Sequence, residues 1–239
     1  MITLAIDTSE ARGSVAVRVG GDARARRMHE DQSDYSGWLL AAVDRALAEA
    51  GVRMDQVELI GVATGPGSFT GLRVGLTTVK AWAEVYRTKV VGVSRLEAVA
   101  RSVGEGASGE FVAASYDAQR GHVFGALFRN GTRVERIGDE MVVAPEEFVE
   151  LVIREAGDAA VRWVSLDPEL LMRVAGVERR IEKGDMVVAS TPELATMIGE
   201  IAEERAAAGL LSDPLLLDAN YVRRSDAEIF WKEASSRVR

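Results

Sequence analysis

Three short stretches carry residue types that could do chemistry. The first is Asp7-Thr8-Ser9, followed by Gly13-Ser14. An apolar run that ends in Asp-Thr and turns tightly into a second strand makes a loop of backbone amides and hydroxyls. Such a loop can hold a phosphate, and its aspartate can orient a metal-bound water. A plain β-hairpin with polar turn residues accounts for the same residues. The second stretch is Gly65-Pro66-Gly67-Ser68-Phe69-Thr70-Gly71-Leu72-Arg73, set between a strand and a helix, where helix amides attract anions. Thr70 stands where both the phosphate-loop pattern and G-x-G-x-x-G require a glycine, and no Lys-Ser/Thr follows, so neither motif is present. A tight strand-to-helix turn whose glycines let backbones approach explains it as well. The third is Asp117-Ala118-Gln119-Arg120-Gly121, which ends the first strand of the second half in the place Asp7 holds in the first. An aspartate after each leading strand, both facing a shared cleft, suits a two-lobed nucleotide-handling fold; an Asx turn is the alternative.

Metal and nucleophile chemistry finds little support. The chain has only His29 and His122, neither with a second histidine four residues on, and no cysteine. A zinc site would have to rest almost entirely on carboxylates. His122 could serve a Ser-His-Asp triad, but no G-x-S-x-G elbow accompanies it.

These stretches need elements to hold them. Ile2–Asp7, 13–19 and the more polar 22–30 read as strands, the last two joined through Gly20-Gly21. A helix is expected from about Asp34 to Ala50, with Gly51 as its stop. Strand 59–64 leads into the glycine-rich stretch and a long helix to about Arg87. Strand 89–93 leads into a helix opened by a capping box, Ser94-Arg95-Leu96-Glu97. The Gly-, Glu- and Ser-rich run 103–110 is a candidate boundary. Beyond it come strands at 111–115, 122–128 and 132–143, with Asn130-Gly131 as the turn between the last two. A helix opens at Pro145, a strand follows at 161–166, and a helix from Thr191-Pro192-Glu193 reaches about Ala208. The two halves share an element order without a residue-level repeat. The expected fold is therefore α/β, two similar lobes with mixed sheets and flanking helices. The expected domains are 1–104, 105–217, and a polar tail, 218–239, packing on the first lobe.

Composition narrows the function classes. The 239 residues are 47% hydrophobic, enough for a substantial core, and the formal net charge is −8. An acidic chain repels phosphate backbones, so weak nucleic-acid binding is expected of it alone, even with a local basic tail at Arg223, Arg224, Lys232, Arg237 and Arg239. The absence of cysteine fits a reducing cytoplasm. No window of 18 apolar residues free of charge occurs, and no basic run precedes the apolar N-terminal residues, so neither a membrane span nor a signal peptide is expected.

The two long helices of the first half are unusual in their apolar width. In 69–87 the charges Arg73, Lys80, Glu84 and Arg87 fall on one narrow stripe. Helix 35–50 carries only Asp44, Arg45 and Glu49. A sheet buries one stripe of a helix, so two such helices suggest a second partner, a subunit contact. Candidate contact residues are Trp38, Leu39, Ala42, Gly71, Leu72, Gly75, Leu76, Val79 and Trp82. Gly71 and Gly75 would permit close helix approach, and Trp82 is a candidate anchor. Burial beneath other segments of the same chain is the alternative.

Several stretches together resemble the TsaB (YeaZ) family. They are LAIDTS at the start, ATGPGSFTGLRVGL running into VKAWAE, VVGVSRLEAVA, YDAQRGHVFGALF, and NYVRRSDAEIFWK in the tail. The resemblance covers the first 130 residues well, the tail fairly, and 140–215 in outline. It implies an actin-like fold (ASKHA, ribonuclease H-like) and a non-catalytic subunit of the machinery that makes threonylcarbamoyladenosine at position 37 of tRNA. It also implies a TsaD-like catalytic partner, a TsaE-like ATPase and a homodimer when the chain is alone, with the helix pair as interface. tRNA would be reached only through the complex. No catalytic residue, metal or intrinsic cofactor is implied. Asp7, Thr8, Ser9, Gly13, Ser14 and Asp117 would be vestigial phosphate or nucleotide loops, with a nucleotide only in the complex. Tyr35-Ser36 departs from the family's usual His-Ser. The competing readings are a small phosphotransferase of the same superfamily, using Asp7, Asp117 and a nucleotide cleft, and a metallopeptidase, which the lack of paired histidines disfavours.

Overall fold

A computed structural model describes residues 1–29, 35–104, 108–131 and 134–222. The first sheet is built from β1 (Ile2–Asp7), β2 (Ser14–Val19), β3 (Asp22–Met28), β4 (Leu59–Gly65) and β5 (Lys89–Ser94) in the order β3-β2-β1-β4-β5. The second is built from β6 (Phe111–Asp117), β7 (Val123–Arg129), β8 (Glu135–Val143), β9 (Val161–Ser165) and β10 (Met186–Ala189) in the order β10-β9-β6-β7-β8. The two orders are the same. In each, the leading strand pairs antiparallel with a hairpin partner and parallel with the strand that follows a helix. The two mixed sheets with flanking helices are those the shared element order predicts.

The helices form layers around these sheets. α1 (Tyr35–Ala50) and α2 (Phe69–Tyr86) cover the outer face of the first sheet, burying Leu39, Ala42, Val43, Ala46, Leu47, Leu76, Val79 and Ala83 against Leu4, Ile6, Val15, Val17, Ile60 and Val62. On the outer face of the second sheet, α4 (Pro145–Ala156), α5 (Pro168–Met172) and α6 (Ala175–Ile181) cover Ala113, Val123, Leu127 and Trp163. Between the sheets lie α3 (Arg95–Arg101) and α7 (Ala195–Ala207) in a third, shared core. Inside the second lobe Arg180 and Asp185 form a buried pair at 2.8 Å, and Asp185 Oδ2 also accepts from the indole N–H of Trp163 at 2.9 Å.

Several elements depart from expectation. α7 packs on β1, β2, β4 and β5, so a segment assigned from sequence to residues 105–217 lies against the first sheet. It starts at Ala195, later than Thr191-Pro192-Glu193 suggests, because its free amides are taken by acceptors outside its first turn. Ser14 Oγ accepts from Ala195 N at 3.0 Å and Glu193 Oε1 from Thr196 N at 3.0 Å. Only half of the capping box at Ser94 forms. Ser94 Oγ accepts from Glu97 N at 3.2 Å, but the Glu97 carboxylate turns to Arg205. β10, α5 and α6 were not expected; each is short, four to seven residues, with little periodicity to read. Residues 212–222 return to the first lobe: Ser212 bridges Val90, Leu217 joins its outer core, and Asn220 N donates to the Thr64 carbonyl at 2.7 Å. The expected helix start at Asp34 and the arginines and lysine of the basic tail lie outside the described residues.

Close backbone approach, more than helix propensity, places α2. A Cβ at Gly67 would lie 2.1 Å from the Ser9 carbonyl oxygen, at Gly71 2.0 Å from that of Thr8, and at Gly75 2.4 Å from Thr8 Oγ1. Gly71→Ala is therefore expected to destabilise the fold by roughly 1–3 kcal/mol, the usual cost of overpacking. Gly37→Ala, where a Cβ meets nothing within 4 Å, should be neutral or stabilising by roughly 0.5–1 kcal/mol. Urea midpoints of the two variants against wild type check both.

Candidate functional site

Where β1 meets the second lobe, a polar cluster is built on buried charge. Asp7 is fully buried, and Arg95 is 2% exposed. Arg95 Nε donates to Asp7 Oδ2 at 3.1 Å, while Asp7 Oδ1 accepts from Ser9 N at 2.9 Å and from the Ser9 hydroxyl. The Arg95 guanidinium lies 4.5 Å from the ring centroid of Tyr116, on the second lobe's leading strand. Tyr116 in turn donates its hydroxyl to the Pro66 carbonyl at 2.7 Å. Burial pushes its pKa well above the usual tyrosine value, against the pull of Arg95, so it stays a neutral donor. One chain of contacts thus links β1, the glycine-rich turn, α3 and β6.

The phosphate-loop candidates are consumed by this packing. Thr8 Oγ1 donates to the Gly71 carbonyl at 2.7 Å, and Ser68 N donates to the Ser9 carbonyl at 2.6 Å. Ser14 caps α7. Gly13 is pressed against Tyr35, whose hydroxyl oxygen would lie 2.3 Å from a Cβ there. Both carboxylate oxygens of Asp7 are engaged, so the expectation that it faces a cleft as Asp117 does is corrected. Arg95, whose role the capping-box reading missed, neutralises and covers it. The available signal was a cation in the first turn of a helix, where the dipole disfavours positive charge and some other partner must hold it.

Asp117 does face a cleft. A cavity of about 160 Å³ is lined by Glu10, Arg12, Arg95, Tyr116, Asp117 and Asp167 among others. Asp117 accepts from Gln119 N at 2.7 Å and donates its own amide to Asp167 Oδ2 at 2.9 Å. Arg12 reaches Asp167 at 3.9 Å from the first lobe. Glu10 is pushed up to about 7, first by burial and then by Asp7, Asp117 and Asp167, with Arg95 opposing. Sequence reasoning did not single out Glu10 or Asp167. On the far side of α3, Glu140 of β8 accepts from the hydroxyl of Ser94 and the amide of Asn220, a second tie between the lobes. Among the described residues, no group of three or more His, Asp or Glu side chains is placed to hold a metal. No helix there is long and apolar enough to cross a membrane.

Comparison with known proteins follows this architecture. The sequence profile of the family described as "TsaD: tRNA N6-adenosine threonylcarbamoyltransferase" matches residues 29–167, more than half of the chain. The chain belongs to the TsaD family. Within the TsaD family, its full-length likeness is to TsaB and YeaZ proteins. The Bacillus subtilis "tRNA threonylcarbamoyladenosine biosynthesis protein TsaB" is 28% identical over 98% of this chain and 99% of its own. The Haemophilus influenzae protein of the same description is 31% identical over 61% of this chain. The chain spans 65% of that relative and 56% of "Uncharacterized protein ML0378" from Mycobacterium leprae. "YeaZ from Pseudomonas aeruginosa" superposes with a TM-score of 0.75 at 25% identity, over 92% of this chain and 99% of its own. A ROK hexokinase from Thermus thermophilus, at TM-score 0.54 and 14% identity, shares the fold, which is actin-like.

The expected contact residues in this TsaD-family chain need correction. Leu39, Ala42, Gly71, Leu72, Gly75, Leu76 and Val79 are buried inside the first lobe, and Trp38 and Trp82 are half-buried. The glycines serve the Thr8-Ser9 loop, not a neighbouring subunit. The helix surface left outside is a different one, which includes Gly37, Leu40 and Ala41 with the charged Asp44 and Arg45 on α1, and Thr77, Ala81 and Val85 with Arg73 and Glu84 on α2.

The buried pair gives a direct test. Arg95→Met should leave Asp7 as an uncompensated buried charge and destabilise by about 3–5 kcal/mol. The double variant Asp7→Asn with Arg95→Met should lose clearly less than the sum of the single changes. Chemical denaturation of the three variants reads this directly.

Proposed function

We propose that this chain is the non-catalytic partner subunit of the tRNA N6-adenosine(37) threonylcarbamoyltransferase complex, scaffolding a TsaD-type catalytic subunit. The observation that carries the reading is the outward surface of α1 and α2. It exposes small and apolar residues, with Leu40 55% and Val85 71% exposed, interleaved with the charged Asp44, Arg45, Arg73 and Glu84. Paired small-residue helices allow a close four-helix contact, and leaving such a surface in water costs about 25 cal/mol per Å² of apolar area. The contact would be a closed homodimer in the isolated chain and a heterodimer with the TsaD-type subunit when that is present.

The first loop supports a non-catalytic role. Asp7 is sealed by Arg95, and the turn at Gly67 and Gly71 occupies the space a phosphate would need beside Thr8 and Ser9. This weighs against the phosphotransferase alternative. The cofactor expectation becomes a proposal of no nucleotide on the chain alone and a nucleotide only in the complex. The complex would be cytoplasmic and completed by a TsaE-like ATPase, and would bring tRNA to a surface that this chain, at net charge −8, does not itself provide.

Ala41→Arg, Thr77→Arg and Ala81→Arg, all on the exposed surface, should each leave the fold intact by circular dichroism. Each should weaken homodimerisation and capture of the TsaD-type subunit at least tenfold, by sedimentation and pull-down. Wild-type association in all three folded variants would place the interface elsewhere. ATPase activity in the lone chain, lost in Asp117→Asn, would favour the phosphotransferase instead.

A further inference from the structure

The loop between β1 and β2 touches three things at once. Toward α2, Thr8 and Ser9 are locked to the Ser68–Gly71 turn by the bonds at 2.7 and 2.6 Å and by the glycine contacts. Toward α1, the hydroxyl of Tyr35, that helix's first residue, donates to the Glu10 carbonyl. The Tyr35 ring stacks on His29 at 4.4 Å and meets the edge of Trp38 at 5.7 Å. Toward the second lobe, Arg12 reaches Asp167, and the Glu10 side chain lines the cavity with Asp117 and Asp167. Residues 8–13 therefore cannot shift at the cleft without moving the first turns of both partner helices.

We propose that the interlobe cleft controls the partner surface through this loop, with Glu10 as the sensing group and Tyr35 as the link to α1. The inference rests on the partner-subunit reading of α1 and α2. Every charged group facing Glu10 bears on the sign. Asp7 from β1, Asp117 from the end of β6 and Asp167 after β9 are carboxylates; Arg95 from α3 opposes them, and Arg12 lies on the same loop. Burial and the three carboxylates hold the Glu10 pKa up, at about 7. Below that pH the side chain is neutral and the loop sits against the second lobe. Above it, a further negative charge enters a cavity of about 160 Å³ already holding Asp117 and Asp167, and like charges at close range repel. The loop is then driven off the second lobe, and Tyr35 carries the displacement into the first turn of α1.

The test is association measured from pH 6 to 8.5, by sedimentation of the chain alone and by titration with the TsaD-type subunit of the same organism. Wild type should lose affinity about three- to tenfold through pH 7. Glu10→Gln, the neutral isostere, should keep the pH 6 affinity throughout. Tyr35→Phe, lacking only the hydroxyl, should bind without pH dependence. His29, whose ring holds the Ala11 carbonyl of the same loop at 2.7 Å, is the other titratable group on this path; Glu10→Gln retains it, so a trend that survives in that variant belongs to His29. The inference is overturned if either Glu10→Gln or Tyr35→Phe keeps the wild-type trend. Absence of association at every pH would sink the partner reading itself, a distinguishable outcome.

Discussion

The Arg95–Asp7 ion pair, with Nε 3.1 Å from Oδ2 and neither side chain more than 2% exposed, is the contact around which the junction of the lobes is arranged. Two charges taken from water must be matched closely, because each unpaired one costs several kcal/mol. Asp7 ends the leading strand of the first sheet; Arg95 opens the helix that runs between the sheets. Tyr116, one residue before the end of the second sheet's leading strand, lies beneath the guanidinium and fastens its hydroxyl to Pro66. Sheet order, the glycine-rich turn and the position of α3 therefore share one constraint: they must deliver these groups to one place.

That constraint also makes the two lobes chemically unequal. Their strand orders are the same, and each leading strand ends in aspartate. In the first lobe the aspartate is neutralised and enclosed, and the loop after it is filled by the backbone of α2. In the second the aspartate opens onto a small acidic cleft with Asp167 and Glu10. A duplicated architecture thus retains one open acidic end and one closed one.

The same glycines explain why the surface left open on α1 and α2 is not the one helix pattern alone suggests. Gly71 and Gly75 face inward because Thr8 occupies the space beside them. This turns Leu76 and Val79 into the sheet's cover. What remains outside on α2 mixes Phe69, Thr77, Ala81, Val85 and Tyr86 with the charged Arg73 and Glu84, a surface less apolar than the buried one.

Apolar runs, period-two alternation and Gly-Gly and Asn-Gly turns were enough to read the strands of the described residues except β10, and apolar periodicity with cap signals placed α1, α2, α4 and α7 within a few residues and the start of α3. Local signals are strong there because strand alternation and caps act over a few neighbouring residues. The short β10, α5 and α6 carry too few residues for a period to show. Nor could the sequence reveal that α7 returns to the first sheet, since nothing local marks which sheet an apolar stripe will cover. The candidate aspartates were legible as types in suggestive places, but their states were not. Whether Asp7 is free or sealed depends on Arg95, 88 residues away, and the inward or outward sense of a helix apolar on both sides depends on what is pressed against it. Burial, charge pairing and facing are properties of neighbours brought together by the fold, and only the tertiary structure decides them.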